Sequence, residues 1–134
     1  MKDFFQATYS LPLLVVACVV WSQEASLQLL DGMELEYTYT DGGTVVLTFY
    51  DDKLRYRWTT GPFAGTEVAD RVYQSREIGD ELYLVNWHDT EHSNFVTLVI
   101  DLQQNVVYDA ALVGYGTDQE LPLFDSAVIQ RVIH

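Results

Sequence analysis

The chain has 134 residues and a formal charge of −13, from 20 acidic side chains against 7 Lys and Arg, with Lys2 and Lys53 the only lysines. This length suits one domain with a single core. The acidic balance sets aside DNA, RNA and other polyanions, whose binding needs basic patches and released counterions.

In chain order, residues 1–22 (MKDFFQATYSLPLLVVACVVWS) join a short start bearing Lys2 to an apolar run from Leu11 to Trp21 that ends in small residues. This is the build of an export signal, with cleavage expected before Gln23 and a secreted or periplasmic product. The apolar run is shorter than the roughly 20 residues of a membrane-spanning helix. Alternatively, Val15-Val16-Ala17-Cys18 reads as a lipobox. Cys18 would then be lipidated and the protein tied to a membrane, or the segment could stay and pack on the domain. Cys18 is the lone cysteine, so the domain from residue 23 to 134 has no internal disulfide, thiol ligand or thiol nucleophile.

From Met33 onward the chain shows short runs rich in Val, Ile, Thr, Tyr and Phe and no long helical period. The predicted strands are 33–40, 44–50, 53–59, 67–76, 81–89, 94–101, 105–113 and 127–133. Asp41-Gly42-Gly43, Asp51-Asp52, Gly79-Asp80 and Gln103-Gln104 supply hairpin turns between them. About eight strands with hairpin-length links predict an all-β, antiparallel up-and-down barrel able to hold one small ligand, with a two-sheet sandwich as the alternative.

Tyr37 and Tyr39 share a strand face with Leu35, because strand side chains alternate. They are either core residues with satisfied hydroxyls or donors aimed into a cavity. Arg57 is the nearest fixed cation that could complete an anion site with them. Plain alternation nevertheless puts Leu54, Tyr56 and Trp58 on one face and Arg55 and Arg57 on the other. A bulge, or an interface covering the Tyr56 and Trp58 face, would be needed to turn Arg57 inward.

Gly61-Pro62-Phe63-Ala64-Gly65 is a loop that either folds over a barrel mouth, bringing Phe63 to a ligand, or merely connects two strands. Further on, Tyr83, Val85, Trp87 and Asp89 form one stripe. A carboxylate held beside Trp87 away from water would have its pKa raised and could move protons near neutrality. The competing reading makes Asp89 the solvated first residue of the next turn. His88-Asp-Thr-Glu-His92 has the i,i+4 histidine spacing of a helical metal site, but it lies in hairpin surroundings, so no metal is expected. Nucleophile-elbow, phosphate-loop and dinucleotide motifs are absent.

The segment from about Met33 to Gly114 resembles the calycin-type (lipocalin-like) barrels of the MoaF-like family and the related phenolic acid decarboxylases. The resemblance rests on Tyr37-Thr38-Tyr39 followed by Asp41-Gly42, Tyr56-Arg57, Gly61-Pro62-x-Ala64-Gly65, and Tyr83-x-Val85-x-Trp87 leading into Val96-Thr97-Leu98-Val99. The glycine–proline loop fits the MoaF-like side better. The decarboxylase likeness implies a catalytic set of Tyr37, Tyr39, Arg57 and Asp89, with Asp where those enzymes carry Glu. It also implies an inward Arg57 and therefore a cover, such as a second subunit of a homodimer, over Tyr56 and Trp58.

The expected function is an exported barrel that binds a small aromatic or unsaturated organic acid, with Tyr83, Trp87 and Phe63 against the ligand. No cofactor is implied. The alternatives are a cofactor-free decarboxylase-like lyase using the same four residues, and a filled structural or interaction domain.

Overall fold

The computed structural model describes residues 29–134. They form eight strands: β1 (Glu34–Tyr39), β2 (Thr44–Tyr50), β3 (Lys53–Trp58), β4 (Glu67–Gly79), β5 (Leu82–Asp89), β6 (Asn94–Asp101), β7 (Val106–Val113) and β8 (Leu121–Ile133). Each strand pairs antiparallel with the next, and β8 returns to β1, closing an up-and-down barrel. The expected all-β, eight-stranded architecture therefore holds, and among the described residues there is no helix. The expected export signal, with its expected junction before Gln23, and Cys18 lie outside the described residues.

Alternation explains most of the interior. Leu35, Tyr37 and Tyr39 on β1, Val45, Leu47 and Phe49 on β2, and Val85 and Trp87 on β5 all pack in one core cluster. One end of the barrel is filled. Leu30 and Met33 enter the core there with Phe49, and Asp31 Oδ1 accepts a 2.6 Å hydrogen bond from the Tyr73 hydroxyl. At the other end aromatic side chains leave a hollow.

Two strands depart from simple alternation through bulges, each adding one residue to one side of a pair. On β4, Leu54 of β3 faces Arg71 while Tyr56 faces Val68. The extra residue falls near Asp70, whose φ is +58°. Tyr50 stitches this bulge: its hydroxyl donates to Asp70 Oδ1 at 2.8 Å and accepts from the Asp70 N–H at 3.0 Å. The shift swaps the parity of β4, so Val68 and Tyr73 are both buried, and Arg71 between them turns toward the inside. On β8 the register against β1 slips between Ile129 and Arg131, which lets Ala127, Ile129 and Val132 all reach the core.

The predicted strand limits differ from the observed ones mainly at β8, which starts at Leu121 rather than 127. Leu121, Leu123 and Phe124 remain substantially exposed, so no buried alternation signals a strand there. Asp51 and Asp52 adopt φ of +47° and +62°, the left-handed pair of a two-residue hairpin turn.

Around the hollow end, the β1–β2 turn and the β3–β4 loop touch backbone to backbone. A Cβ on Gly43 would lie 1.9 Å from the Thr60 carbonyl oxygen, and one on Gly61 would lie 2.5 Å from the Gly43 Cα. Gly43→Ala is therefore expected to pry the loop from the turn and cost about 2 kcal/mol of stability. A urea titration would show the lowered midpoint, with Gly65→Ser as a control at a site where nothing lies within 4 Å and only the positive φ is disturbed.

Candidate functional site

The hollow is a cavity of about 180 Å³ at the end where β1, β3, β5 and β7 finish. Its wall includes Tyr37, Tyr39, Tyr56, Trp58, Trp87 and, from the 61–65 loop, Phe63. The rings brace one another. Tyr37 meets Tyr39 edge-on at 5.7 Å, Trp58 stacks on Tyr39 at 5.6 Å, and Phe63 tilts against Trp58 at 5.2 Å. Hydrogen bonds from the Trp58 N–H to the Thr66 carbonyl and from the Gly65 N–H to the Trp58 carbonyl, both 2.9 Å, close the loop that carries Phe63.

One carboxylate shares this wall. Asp109, on β7 between inward Val107 and Ala111, is 9% exposed. Its Oδ2 accepts a 2.6 Å hydrogen bond from the Tyr39 hydroxyl, and its Oδ1 is buried with no partner among the described residues. The indole N–H of Trp87 is likewise buried without an acceptor among them. Burial pushes the Asp109 carboxyl above its ordinary range, the Tyr39 hydrogen bond opposes this, and nearby Asp125 adds to it. Burial also pushes both tyrosine hydroxyls up, Tyr37 further through Asp109, and Tyr39 further through Tyr37 and Asp109. They remain neutral donors. Among the described residues no Lys or Arg lines the cavity.

The four residues proposed from the decarboxylase likeness do not converge. Tyr37 and Tyr39 line the cavity, but Arg57 is exposed on the outer wall, beside Glu34, Arg55 and Glu67. Plain alternation of β3 is correct and the inward placement is overturned: the β3–β4 bulge adds its residue to β4, so β3 keeps its parity. With Tyr56 and Trp58 packed inward, their face needs no covering subunit. Tyr83 also lies away from the cavity wall, on the first turn-proximal residues of β5 opposite Glu77, whereas Trp87 and Phe63 line it.

Asp89 is buried, at 1% exposure, but it is already engaged. Its Oδ1 accepts from the Glu91 and His92 backbone N–H groups at 3.1 and 3.2 Å and lies 3.1 Å from Arg71 Nε, and His92 Nδ1 sits 2.7 Å from its Oδ2. It caps the following turn, as Asp101 does for Gln103 and Gln104. Burial alone would raise its pKa. Hydrogen bonds from the His92 side chain and backbone and from Arg71 more than offset that, and the carboxyl sits below its usual range. The raised, proton-shuttling Asp89 expected beside Trp87 is thus replaced by a tethered anion, and the solvated version fails as well.

No local sequence signal marks Arg71, because only the bulge turns it inward. Asp109 was detectable, as a lone acid in the apolar register Val107-x-Asp109-x-Ala111. In the HDTEH segment, His88 bonds to the Tyr115 hydroxyl at 2.6 Å. Asp89, Glu91 and His92 draw close enough to share an ion, but Arg71 already holds Asp89 and, at 2.7 Å, Glu91.

The MoaF-like family model matches residues 31–120. The chain belongs to the MoaF-like family. Among solved structures, the MoaF-like barrel is similar to one described as "a putative beta-lactamase from Burkholderia vietnamiensis", with a TM-score of 0.67 at 19% identity over 78% of this chain and 96% of that one. That likeness shows the fold alone. No curated protein sequence matches. These findings carry the MoaF-like half of the sequence resemblance; the decarboxylase half rests on residues that the barrel does not bring together.

Two outcomes follow from the opposite settings of the two acids. Asp89→Asn removes the buried anion from Arg71, leaving it only the exposed Glu91, and is expected to cost about 3 kcal/mol at pH 7. Because the folded pKa is depressed, this contribution is present above the unfolded value near 4 and fades as pH falls through the folded one. Urea titrations at pH 7 and pH 3 should show the gap between wild type and variant shrinking. Asp109 has the reverse sign: its raised folded pKa means that stability is full below the unfolded value and is lost as pH rises through the folded one. Asp109→Asn should therefore melt higher than wild type at pH 7 and lose that advantage near pH 4.

Proposed function

We propose that this MoaF-like barrel binds a small molecule in the aromatic-walled cavity. The observation that carries this reading is that two residues of the cavity wall, Asp109 and Trp87, each bury a polar atom, Oδ1 and the indole N–H, without a partner among the described residues. A buried polar group without a partner costs about 1–3 kcal/mol, a cost that a ligand offering a donor and an acceptor would remove. A filled structural core has no such need. An apolar pocket with few convergent polar groups is also the usual build of a ligand site. A cavity of about 150 Å³ suffices for benzene, so this one suits a single ring with a short substituent. Export across the membrane, as the N-terminal signal implies, is part of the proposal and would make the protein an extracytoplasmic carrier or sensor. No observation favours a decarboxylase-like reaction, since Arg57 is outside and Asp89 is tethered.

The neutral probe p-cresol tests the reading. At millimolar concentration it should raise the melting temperature of the full chain by mass action and quench tryptophan fluorescence saturably. Ala111→Phe, which fills the cavity from its β7 wall, should stay folded and lose at least tenfold in affinity. An unchanged melting temperature in the wild type, or equal shifts in both proteins, would overturn the proposal.

A further inference from the structure

The cavity's chemistry also selects among ligands, and this step rests on the cavity being a binding site. The organic acid expected from the sequence needs a cation in the wall. Arg57 is on the outer surface, the inward Arg71 is spent on Asp89 and Glu91, and the nearest charge to a bound ligand is the carboxylate of Asp109. A second anion in the same low-dielectric space would face repulsion that no neighbouring group relieves.

We propose that the ligand is a small aromatic or alkyl amine, bound as its ammonium ion. Its N–H would be donated to Asp109 Oδ1 while the tyrosine and tryptophan rings surround the charged head and its carbon skeleton.

Three independent features support this assignment. The first is the acceptor: Tyr39 occupies Asp109 Oδ2 at 2.6 Å and leaves Oδ1, on a residue of the cavity wall, buried and without a partner among the described residues. Tyr39 fixes the carboxylate in place, so its orientation is set before the ligand arrives, which reduces the ordering cost of binding. The second is the wall. Tyr37, Tyr39, Tyr56, Trp58, Phe63 and Trp87 supply π faces and apolar bulk, and a cation near such faces is attracted by the ring quadrupole. The third is the field of the whole molecule. A formal charge of −13 draws cations toward the mouth and repels anions. Burial pushes the Asp109 pKa up, and an ammonium partner at Oδ1 would reverse that shift by favouring the ionised form. The amine thus relieves the one destabilising charge in the cavity, whereas a neutral alcohol offers only a hydrogen bond and a carboxylate makes matters worse.

Three probes of matched skeleton separate the possibilities: 2-phenylethylamine, 2-phenylethanol and 3-phenylpropanoate, titrated calorimetrically into the full chain at pH 7. The amine should bind at least tenfold more tightly than the alcohol, and the carboxylate should bind worst. In Asp109→Asn the ratio of amine to alcohol affinity should collapse to about one while the alcohol itself still binds. In Ala111→Phe all three should weaken together. An alcohol that equals the amine in the wild type, a carboxylate that binds best, or an amine preference that survives Asp109→Asn would overturn the amine assignment while p-cresol binding still upheld the cavity. Failure of p-cresol and of all three probes would overturn both.

Discussion

The pairing of β8 with β1 is the constraint on which the rest depends. Once the first strand is bonded on both sides, to β2 and to β8, the sheet has no edge and every strand has one face enclosed. β1 then cannot slip by one residue without moving Leu35, Tyr37 and Tyr39 to solvent and Glu34, Glu36 and Thr38 to the interior. The two tyrosines are thereby held in the barrel whether or not anything binds beside them. Closure also creates the hollow. The filled end takes aliphatic side chains together with Phe49 and Tyr73, which pack edge-on at 4.9 Å. At the other end rings meet at angles that leave space between them.

Within that frame, bulges decide which charges face inward. Among the arginines of β3 and β4, strand period counted from buried Leu54 and Val68 would turn Arg55, Arg57 and Arg71 all outward. The extra residue at Asp70 brings Arg71 into reach of Asp89 and leaves the β3 pair outside. The result is a division of labour between two buried acids. Asp89, with a cation and backbone donors, consolidates the wall where β5 turns into β6. Asp109, on the cavity wall, has a single neutral donor and one oxygen without a partner among the described residues. An arrangement that costs stability in the empty protein is common where a site must be complementary to something else, and the burial of Asp109 without a counterion is the local rule broken here.

The rims follow from similar close contacts. Gly43 and Gly61 allow the β1–β2 turn and the β3–β4 loop to share one layer, and that contact sets the height at which Phe63 meets Trp58. The loop is therefore a fixed part of the mouth, held by its own backbone hydrogen bonds and by the aromatic pair. β8 begins beside it with Leu121 and Leu123 on the cavity wall yet partly exposed, which gives the hollow its opening to solvent.

Much of this was legible in the residues. The alternation of Val, Tyr and Leu with Thr and Glu, broken by Asp-Gly and Asp-Asp turns, determines the strands, the all-β class and the inward faces of Tyr37, Tyr39, Val85 and Trp87, because those signals are local and repeat with period two. The turn role of Asp89 was local too, since an aspartate at a strand end accepts from the N–H groups that follow. The sequence by itself could not say that Arg57 is outside and Arg71 inside, or that Asp89 has a cation while Asp109 has none. Those outcomes depend on a one-residue shift between neighbouring strands and on which side chains meet across the barrel from distant parts of the chain, as Tyr39 meets Asp109. Only the closed tertiary structure decided them, because the energy of a buried charge is set by its spatial neighbours and not by its neighbours in the chain.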